Sequence, residues 1–407
     1  MSDEEEHVED VVELEPGTVV RDVWVVVRKL GKGAYGQVYH VISLRNGVQG
    51  ALKVSFSSNM SGREGKQQTK IGRYIVMTLC GADLTHLCKA VGPLSDSTIL
   101  RVAIRTLLAL KQLHEIGYVH RDVKPCNFAI SCASPKIIHV FDFGMTRKYA
   151  MKNEKSEWCI KRRRNRISFR GTLRYCSLST QRGAEQGRVD DLWSWAYMSI
   201  EMRDPLPWVK AVHPEAVLAL KEETPLEKLC CSNLSKVFLP IFKSFDKLGY
   251  YDRPDYKKIF EVLMDEVTKQ KFQLTDPYDW DGKITDNESA DKLLEVCKQY
   301  NLRQASLPQM ETVEELSERS EVAYFRQVFS PQPSDVPGGE QYAEKKKKNS
   351  NSNVPTPEAT PAPSSMEDGK NPGTTPPTPA APPVSKGQTR RMRKKEIENG
   401  KEKEKKH

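Results

Sequence analysis

The sequence predicts an α+β fold in which a β-rich part is followed by a helical part and then by a disordered tail. Val23–Val27 and Val38–Ile42 are rich in β-branched residues and flank a glycine-rich stretch, as expected for two strands joined by a turn. From Ser95 onward, apolar residues recur at helical spacing. After about residue 330 the chain consists largely of Pro, Thr, Ser, Asn and Lys, a composition that buries too little apolar surface to fold.

Composition and charge narrow the functional classes. A chain of 407 residues has room for one large or two medium domains, and its hydrophobic content of 38% is low for a chain folded throughout. The start is acidic, the end is basic, and the formal net charge of +9 favours acidic partners without naming one.

Cysteine usage and the absence of long apolar runs bear on location. The 9 cysteines show no zinc-site spacing, and their odd number argues against a secreted disulfide framework. No apolar run approaches the roughly 20 residues of a membrane helix, and the acidic start is unlike a secretory signal. We therefore expect reduced thiols, a cytoplasmic or nuclear location and no membrane partner.

A glycine pattern follows the acidic leader, residues 1–22, which is predicted to be disordered. Gly31, Gly33 and Gly36 form G-x-G-x-x-G between two strands. Glycines let the backbone turn tightly and bring amide N–H groups against phosphate oxygens. Alone, such a pattern is most often a plain glycine hairpin, and a dinucleotide-binding fold would need a helix directly after it. A strand follows here, so a phosphate-binding role requires a lysine on the next strand.

That next strand, Ala51–Val54, supplies Lys53. A lysine flanked by apolar residues can place its ammonium beside nucleotide phosphates. In isolation it would be an ordinary exposed strand lysine, but its position after the glycine pattern favours the phosphate-binding role.

Helical signals begin after Pro93. Ser95 and Asp96 are capping types, and apolar residues continue at helical spacing to about residue 114. Leu192–Met202 is apolar almost all round, which predicts a buried helix. Further helical patterns cover roughly 213–223, 232–247 and 254–270, and Asp291–Tyr300 is predicted as a last amphipathic helix.

The most informative stretch is His120–Gly144. It consists of HRDVKPCN, an apolar run and then DFG. Asp122 can accept a proton from a hydroxyl, while Asn127 and Asp142 offer the hard oxygen ligands that magnesium prefers. DFG alone occurs by chance in many proteins, but the whole string in this order and spacing matches a protein-kinase catalytic loop and magnesium loop. The stretch indicates phosphoryl transfer.

Downstream motifs make the chain resemble the casein kinase I group of protein kinases, and within it the tau-tubulin kinase-like branch. These motifs are GTLRYCS at Gly171–Ser177, GRVDDLWS at Gly187–Ser194, LPW at Leu206–Trp208, YDRPDY at Tyr251–Tyr256 and DPYDW at Asp276–Trp280. The resemblance covers about two-thirds of the chain, to about residue 282. Ser179, where the group usually has asparagine, is a lesser departure.

The resemblance implies a two-lobed protein-kinase fold with ATP bound between the lobes. The small lobe would cover 23–79 and the large lobe 80–300, followed by an extension at 301–330 and the disordered tail at 331–407. The nucleotide-binding residues would be Gly31, Gly33, Gly36, Val38, Ala51, Lys53, Met77 and Leu79. Val38 and Ala51 would sandwich the adenine, Met77 would be the gatekeeper and Leu79 would belong to the hinge.

The resemblance also implies the catalytic roles. Asp122 would orient or deprotonate the substrate hydroxyl, and Lys124 would contact the transferring phosphate, as in serine/threonine kinases. Asn127 and Asp142 would bind Mg²⁺. Asp191 would brace the catalytic loop from the buried helix.

Substrate recognition is implied by a basic segment that contains Arg162, Arg163 and Arg164, with Arg174 beyond it. Guanidinium groups pair bidentately with phosphate or carboxylate. In this family such a site favours acidic or phosphate-primed protein substrates, cytoskeletal proteins among them; in isolation, a solvated basic loop is the alternative.

We expect a monomer with no specific nucleic-acid partner. The tail contains two basic blocks, Lys345–Lys348 and Arg390–Lys395. They keep the tail solvated, act as a nuclear localisation signal or anchor the chain to acidic surfaces.

The main departure from the family lies after Lys53. In active kinases this lysine pairs with a glutamate on a helix between the third and fourth strands. A helix of ~11 residues, two strands of ~5 residues and their connections need more than roughly 30 residues. Only residues 54–76 remain before the strand Tyr74–Met77 ends, no helical period is visible there, and Glu64 is the only acid between Lys53 and Asp83. We conclude that the helix is absent and the small lobe truncated.

Three interpretations follow. The first is a working serine/threonine kinase. The second is a kinase-like scaffold that holds acidic or phosphorylated partners and transfers little phosphate, because Lys53 without its glutamate would pair with Asp142. The third is that the sequence is a splice form or gene model that lacks an exon.

Overall fold

The computed structural model describes residues 13–33, 36–55, 73–132, 134, 136–165, 167–283, 287–300 and 318–339. All of them belong to one compact unit, Met1–Lys345. Most of the acidic leader, residues 1–12, and the predicted tail from 340 onward lie outside these ranges.

Strands dominate the first part and recur further on in small sheets of two or three strands. They are β1 (Val19–Val20), β2 (Trp24–Gly33), β3 (Gly36–Ser43), β4 (Gln49–Ser55), β5 (Arg73–Met77), β6 (Cys80–Asp83), β7 (Tyr118–Val119), β8 (Phe128–Ser131), β9 (Ile138–Val140), β10 (Arg147–Lys148), β11 (Ala150–Lys152) and β12 (Trp158–Ile160).

Helices begin after β6. They are α1 (Leu84–Val91), α2 (Asp96–Glu115), α3 (Leu178–Gln181), α4 (Arg188–Glu201), α5 (Pro214–Glu223), α6 (Leu226–Leu229), α7 (Leu239–Phe245), α8 (Tyr256–Lys269), α9 (Asn287–Gln299) and α10 (Glu318–Phe329), with short 3₁₀ turns at Pro125–Asn127, Phe143–Met145 and Ser235–Phe238. No described helix is long and apolar enough to cross a membrane.

The small lobe is an antiparallel sheet in the order β1-β2-β3-β4-β5. Side chains alternate between its faces, so Tyr39, Val41, Leu52 and Val54 bury one face together. Ordered chain begins before the predicted boundary at residue 23, because β1 pairs with β2 and the buried Leu14 donates its N–H to the Tyr39 hydroxyl at 3.0 Å.

The large lobe is built around α2 and α4. Ser95 caps α2 by accepting the N–H of Thr98, as its residue type predicted. Trp195 of α4 is fully buried and donates its indole N–H to the Ala103 carbonyl of α2 at 3.2 Å. This helix pair places the following β7 and its loop at the boundary between the lobes.

The chain after residue 283 packs on both lobes. In α9, Val296 and Cys297 are buried against Val25, Val27 and Ile42 of the small-lobe sheet. In α10, Phe329 stacks on Phe260 of α8 with ring centroids 4.7 Å apart. The described part of the predicted extension, residues 318–330, therefore packs on the large lobe, and residues 331–339, predicted as disordered tail, also lie against it because Val336 is fully buried. Residues 301–317, the start of the predicted extension, lie outside the described ranges.

Candidate active site

The catalytic loop follows β7, and backbone bonds tie it to the loop that carries Asp142. The N–H of Phe141 donates to the Asn127 carbonyl at 3.0 Å, and the ring Nε2 of His120 lies 3.0 Å from the Phe141 carbonyl. Both Arg121 (φ 68°) and Asp142 (φ 59°) adopt left-handed backbone conformations, which cost non-glycine residues of order 1–3 kcal/mol and cluster at active sites.

Asp122 is only 7% exposed, and two side chains hold its carboxylate while a third bonds its backbone carbonyl. Lys124 Nζ lies 2.8 Å from Oδ2, and the Thr172 hydroxyl donates to Oδ1 at 2.7 Å. Asn127 donates its side-chain N–H to the Asp122 carbonyl at 2.8 Å. Burial alone would lower the pKa of Lys124, but the hydrogen bond and charge of Asp122 outweigh burial and raise the pKa. The arrangement keeps Lys124 charged beside a carboxylate that can accept a proton.

Asp191 braces this loop from α4. Its Oδ2 accepts the backbone N–H of His120 at 2.6 Å, and its Oδ1 accepts that of Arg121 at 2.8 Å. The ring Nε2 of His114 lies 2.9 Å from Oδ2. Burial would raise the pKa of Asp191, but the hydrogen bond and charge of His114 and the loop N–H groups keep it below its usual range. The acid therefore stays charged and fixes the strained turn at Arg121.

Lys53 and Asp142 meet across the cleft between the lobes. Lys53 Nζ lies 2.8 Å from Asp142 Oδ1, the ion pair that the scaffold interpretation anticipated. The segment that would carry a helix glutamate, residues 56–72, lies outside the described residues, so the predicted absence of that helix lies there as well.

The sheet register brings most of the expected nucleotide residues onto one face. Lys53 is the partner of Val38, and Ala51 is the partner of Met77, so these four side chains share the face that looks toward Asp142.

The expected glycines and the hinge residue lie at the ends of these strands. Gly31 pairs with Val38 and Gly33 with Gly36, whose φ of 134° favours glycine. A Cβ added to Gly31 would meet no atom within 4 Å, which leaves room for a ligand against the backbone. Leu79 lies half-buried between β5 and β6.

The residues present fit a nucleotide with a divalent cation. Because Asn127 directs its side-chain N–H toward Asp122, its oxygen is the atom left for a cation, and Asp142 adds a carboxylate from the adjoining loop. One amide oxygen and one carboxylate suit a hard cation such as magnesium. Lys53, on the opposite side of the cleft, would supply positive charge for a phosphate.

The four arginines expected at a substrate site fall into two groups. Arg162 and Arg163 are exposed. Arg164 instead forms a bidentate pair with the buried Glu185 at 2.5 and 3.0 Å, and Arg174 lies 3.5 Å from Glu201. Two of the four arginines therefore already have carboxylate partners, and the binding of a substrate anion by this set stays a prediction.

A cavity of about 540 Å³ lies beside the catalytic loop. Arg121, Arg164 and Arg170 line it together with Asn165, Ile167 and Ser168. Burial lowers the pKa of Arg121, and the neighbouring charge of Arg147 lowers it further. Arg121 was not among the predicted substrate residues, although its place next to Asp122 in the sequence is the signal that points to it.

Lys221 of α5 is a second residue that sequence patterns did not single out. Its Nζ is bonded to the carbonyls of Leu173 and Cys176 at 2.6 and 2.7 Å, and the side chain is 5% exposed. It therefore anchors the segment that begins with Thr172, the residue bonded to Asp122. A lone lysine 45 residues from its partner gives no local sequence signal.

Fold and site together define an enzyme for phosphoryl transfer, and comparison with known proteins gives the family. The model of the protein kinase domain matches residues 65–303. A Caenorhabditis elegans protein named as a serine/threonine-protein kinase is 36% identical over 303 residues, which cover 68% of this chain and 87% of that protein. The chain therefore belongs to the protein kinase family, which confirms the predicted two-lobed α+β fold and the predicted enzyme class.

Two further relatives from the same organism are similar at lower coverage or identity. An inactive tau-tubulin kinase is 32% identical over 226 residues, covering 52% of this chain and 77% of that protein. A protein named as a casein kinase I is 28% identical over 297 residues, covering 65% of this chain and 85% of that protein.

Proposed function

We propose that this kinase transfers the γ-phosphate of ATP to serine or threonine hydroxyls of acidic or phosphate-primed proteins, with Mg²⁺ as the cation. The observation that carries the proposal is the environment of Asp122, which is held between Lys124 and Thr172. In protein kinases an aspartate of the catalytic loop accepts the proton of the substrate hydroxyl. Lys124 beside it provides positive charge for the phosphate in transfer.

The remaining roles follow from position. Lys53 would bind phosphate oxygens of ATP, while Val38, Ala51 and Met77 would face the base from the sheet. Asn127 and Asp142 would hold Mg²⁺, which supplies positive charge against the phosphate oxygens. Asp191 keeps the loop of Asp122 in place through two backbone N–H groups.

The substrate class rests on positive charge near the catalytic loop. Arg162 and Arg163 are exposed, and Arg121, Arg164 and Arg170 line a cavity next to Asp122. Glu185 is one carboxylate among several arginines, so it offsets only part of their positive charge. A phosphate or carboxylate on the substrate can pair with the remaining guanidinium groups.

We also propose membership in the casein kinase I group, tau-tubulin kinase-like branch. The motifs GTLRYCS and DPYDW and the two lower-coverage relatives support it. The described ranges contain all 9 cysteines, and no disulfide joins any two of them, which supports a cytoplasmic or nuclear location.

The test is phosphate transfer by the purified full chain. Casein and dephosphorylated casein serve as substrates, and Asp122→Asn and Asp142→Ala serve as inactive controls. We expect transfer to casein in the wild type, less transfer to the dephosphorylated form, and loss in both variants. Equal signals from wild type and variants would refute the kinase proposal.

A second candidate function is a scaffold, and the Lys53–Asp142 pair favours it. If the pair persists in the presence of nucleotide, neither side chain reaches its ligand and little phosphate is transferred. Two results together would establish this alternative. The wild type would bind phosphorylated casein tightly without transferring phosphate, and Lys53→Met would bind it equally well.

A further inference from the structure

A groove on the large lobe holds residues 334–339, which we call the docking segment. It follows α10 after a link of only four residues, and Ser330 at the start of that link donates its N–H and hydroxyl to the Arg326 carbonyl. The short link delivers the segment to the groove of the same chain.

Charged groups recognise the acid of the docking segment. Arg253 Nη2 lies 2.7 Å from both Asp335 Oδ2 and Glu115 Oε1, and Lys111 Nζ lies 3.7 Å from Asp335 Oδ1. These four side chains are at most 17% exposed. Without Asp335 the two cations would face one carboxylate, so the groove has an uncompensated positive charge that suits an acid.

Backbone and apolar contacts fix the residues that follow. Glu115 Oε2 accepts the Val336 N–H at 2.7 Å, and the buried Arg188 donates to the carbonyls of Val336 and Pro337 at 2.8 and 3.0 Å. The Val336 side chain has no exposed surface and belongs to one buried apolar cluster with Val119, Tyr149, Ala150, Ile160 and Tyr250. The groove therefore fits the order acid, β-branched residue, proline.

The walls of this groove continue directly into the active site. Glu115 ends α2 and Val119 precedes His120 of the catalytic loop. Ala150 and Ile160 belong to the hairpin β11–β12, between Asp142 and the substrate-facing arginines. Trp158 of that hairpin donates its indole N–H to the Ser334 carbonyl at 2.9 Å.

We propose that this groove is a docking site for the chain's own residues 334–339, and that their binding holds the catalytic loop and the β11–β12 hairpin in position. Asp335 and Val336 act as positioning residues through Glu115 and through the apolar cluster that contains Val119. If the segment left, the fully buried Arg188 would lose two carbonyl partners and the cluster would lose Val336, so both walls would gain freedom. The rigidity does not depend on the proposed phosphate transfer, whereas its effect on kcat rests on that function.

Hydrogen–deuterium exchange of the full chain tests the proposal. The variants are Val336→Asp, the isosteric Val336→Thr and the conservative Val336→Ile, with Ser334→Ala as matched control because Ser334 contributes its backbone carbonyl and its side chain is exposed. We expect Val336→Asp to speed exchange in residues 115–122 and 149–160 at least tenfold. Val336→Thr should give a smaller increase, while Val336→Ile and Ser334→Ala should match the wild type.

Kinetics separate positioning from simple loss of fold. We expect kcat to fall about tenfold in Val336→Asp with KM for ATP unchanged, because the expected nucleotide residues lie on the small-lobe sheet. Faster exchange confined to residues 330–339 in both Val336→Asp and Val336→Thr would overturn the proposal. Loss of protection at 334–339 on dilution of the wild type would also overturn it, since docking would then come from a second copy.

Discussion

Lys53 Nζ lies 2.8 Å from Asp142 Oδ1, so the cation expected to bind phosphate and the acid expected to bind a metal ion are paired with each other. Both side chains are partly exposed, at 20% and 33%, so ligands can reach them. A phosphate that approaches Lys53, or a cation that approaches Asp142, therefore competes with this ion pair. The pair connects a strand of the small lobe with the loop of the large lobe that carries Asp142. Variants of either residue can therefore test how the pair affects ligand binding and stability.

Lys53→Met is expected to weaken ATP binding. A hydrogen bond to a charged group contributes ~1.5–3 kcal/mol, which corresponds to a loss of roughly 10- to 100-fold in affinity measured by calorimetry with MgATP. Lys29→Met is the matched control, because Lys29 pairs with Glu13 at the surface of the same sheet. Unchanged affinity in Lys53→Met would mean that Lys53 does not reach the nucleotide.

Acid should weaken the fold through Asp142. Burial alone would raise the pKa of Asp142, but the hydrogen bond and charge of Lys53 outweigh burial, so the pKa lies below its ordinary value. A carboxyl with a lowered folded pKa adds stability above its unfolded pKa of ~3.9, and this stability is lost as the pH falls through the folded pKa. Between about pH 5 and about pH 3, the Tm of the wild type should therefore fall more steeply than the Tm of Asp142→Asn.

The control for this pH dependence is the other member of the pair. Lys53→Met removes the charge that lowers the pKa of Asp142, so its acid limb should flatten as in Asp142→Asn. If the three proteins lose Tm in parallel, the pair does not contribute to folding stability.

Sequence patterns could predict the candidate catalytic groups because these residues lie close together in the chain. Asp122, Lys124 and Asn127 come from one loop, and strand alternation alone places Lys53 and Ala51 on one face. Asp191 was found through the family motif that contains it. These assignments need no knowledge of contacts between distant parts of the chain.

Contacts between side chains that are far apart in the chain could not be predicted from the sequence. Arg164 reaches Glu185, 21 residues away, so a side chain predicted to bind an anion already has a carboxylate partner. The docking segment has the Ser, Pro and Gly composition of a disordered tail, yet Asp335 and Val336 make specific contacts with residues more than 80 positions earlier. Composition measures the average of a segment and does not detect two such anchors.

Arg164→Ala should lower the stability of the fold, whereas the double variant Arg162→Ala/Arg163→Ala should weaken the use of the substrate. Loss of Arg164 leaves the buried Glu185 with Arg147 at 3.3 Å, so we expect a destabilisation of ~1–3 kcal/mol by denaturant unfolding. The exposed pair Arg162 and Arg163 should change stability by less than about 0.5 kcal/mol. The double variant should instead raise KM for phosphorylated casein several-fold, and added salt should reduce the difference from wild type. A destabilised double variant with unchanged KM would contradict the assignment of these two arginines to the substrate.

Lys221→Met should impair use of the protein substrate while ATP binding stays normal. Lys221 Nζ holds the carbonyls of Leu173 and Cys176, and the rings of Tyr197 and Trp208 lie 5.7 and 5.5 Å from it. Burial lowers the pKa of Lys221, and the charge and hydrogen bond of the Cys176 thiol offset part of that effect.

Methionine matches the length of Lys221 and leaves both carbonyls without their donor, so the segment that starts at Thr172 loosens around Asp122. We expect kcat/KM for casein to fall about tenfold, equivalent to ~1.4 kcal/mol, with the Kd of MgATP unchanged. Lys221→Arg should restore part of the activity because it keeps the charge and the donors, and the exposed Lys228→Met is the matched control. An equal loss in ATP affinity and in casein turnover would show that Lys221 supports the whole lobe rather than the substrate segment.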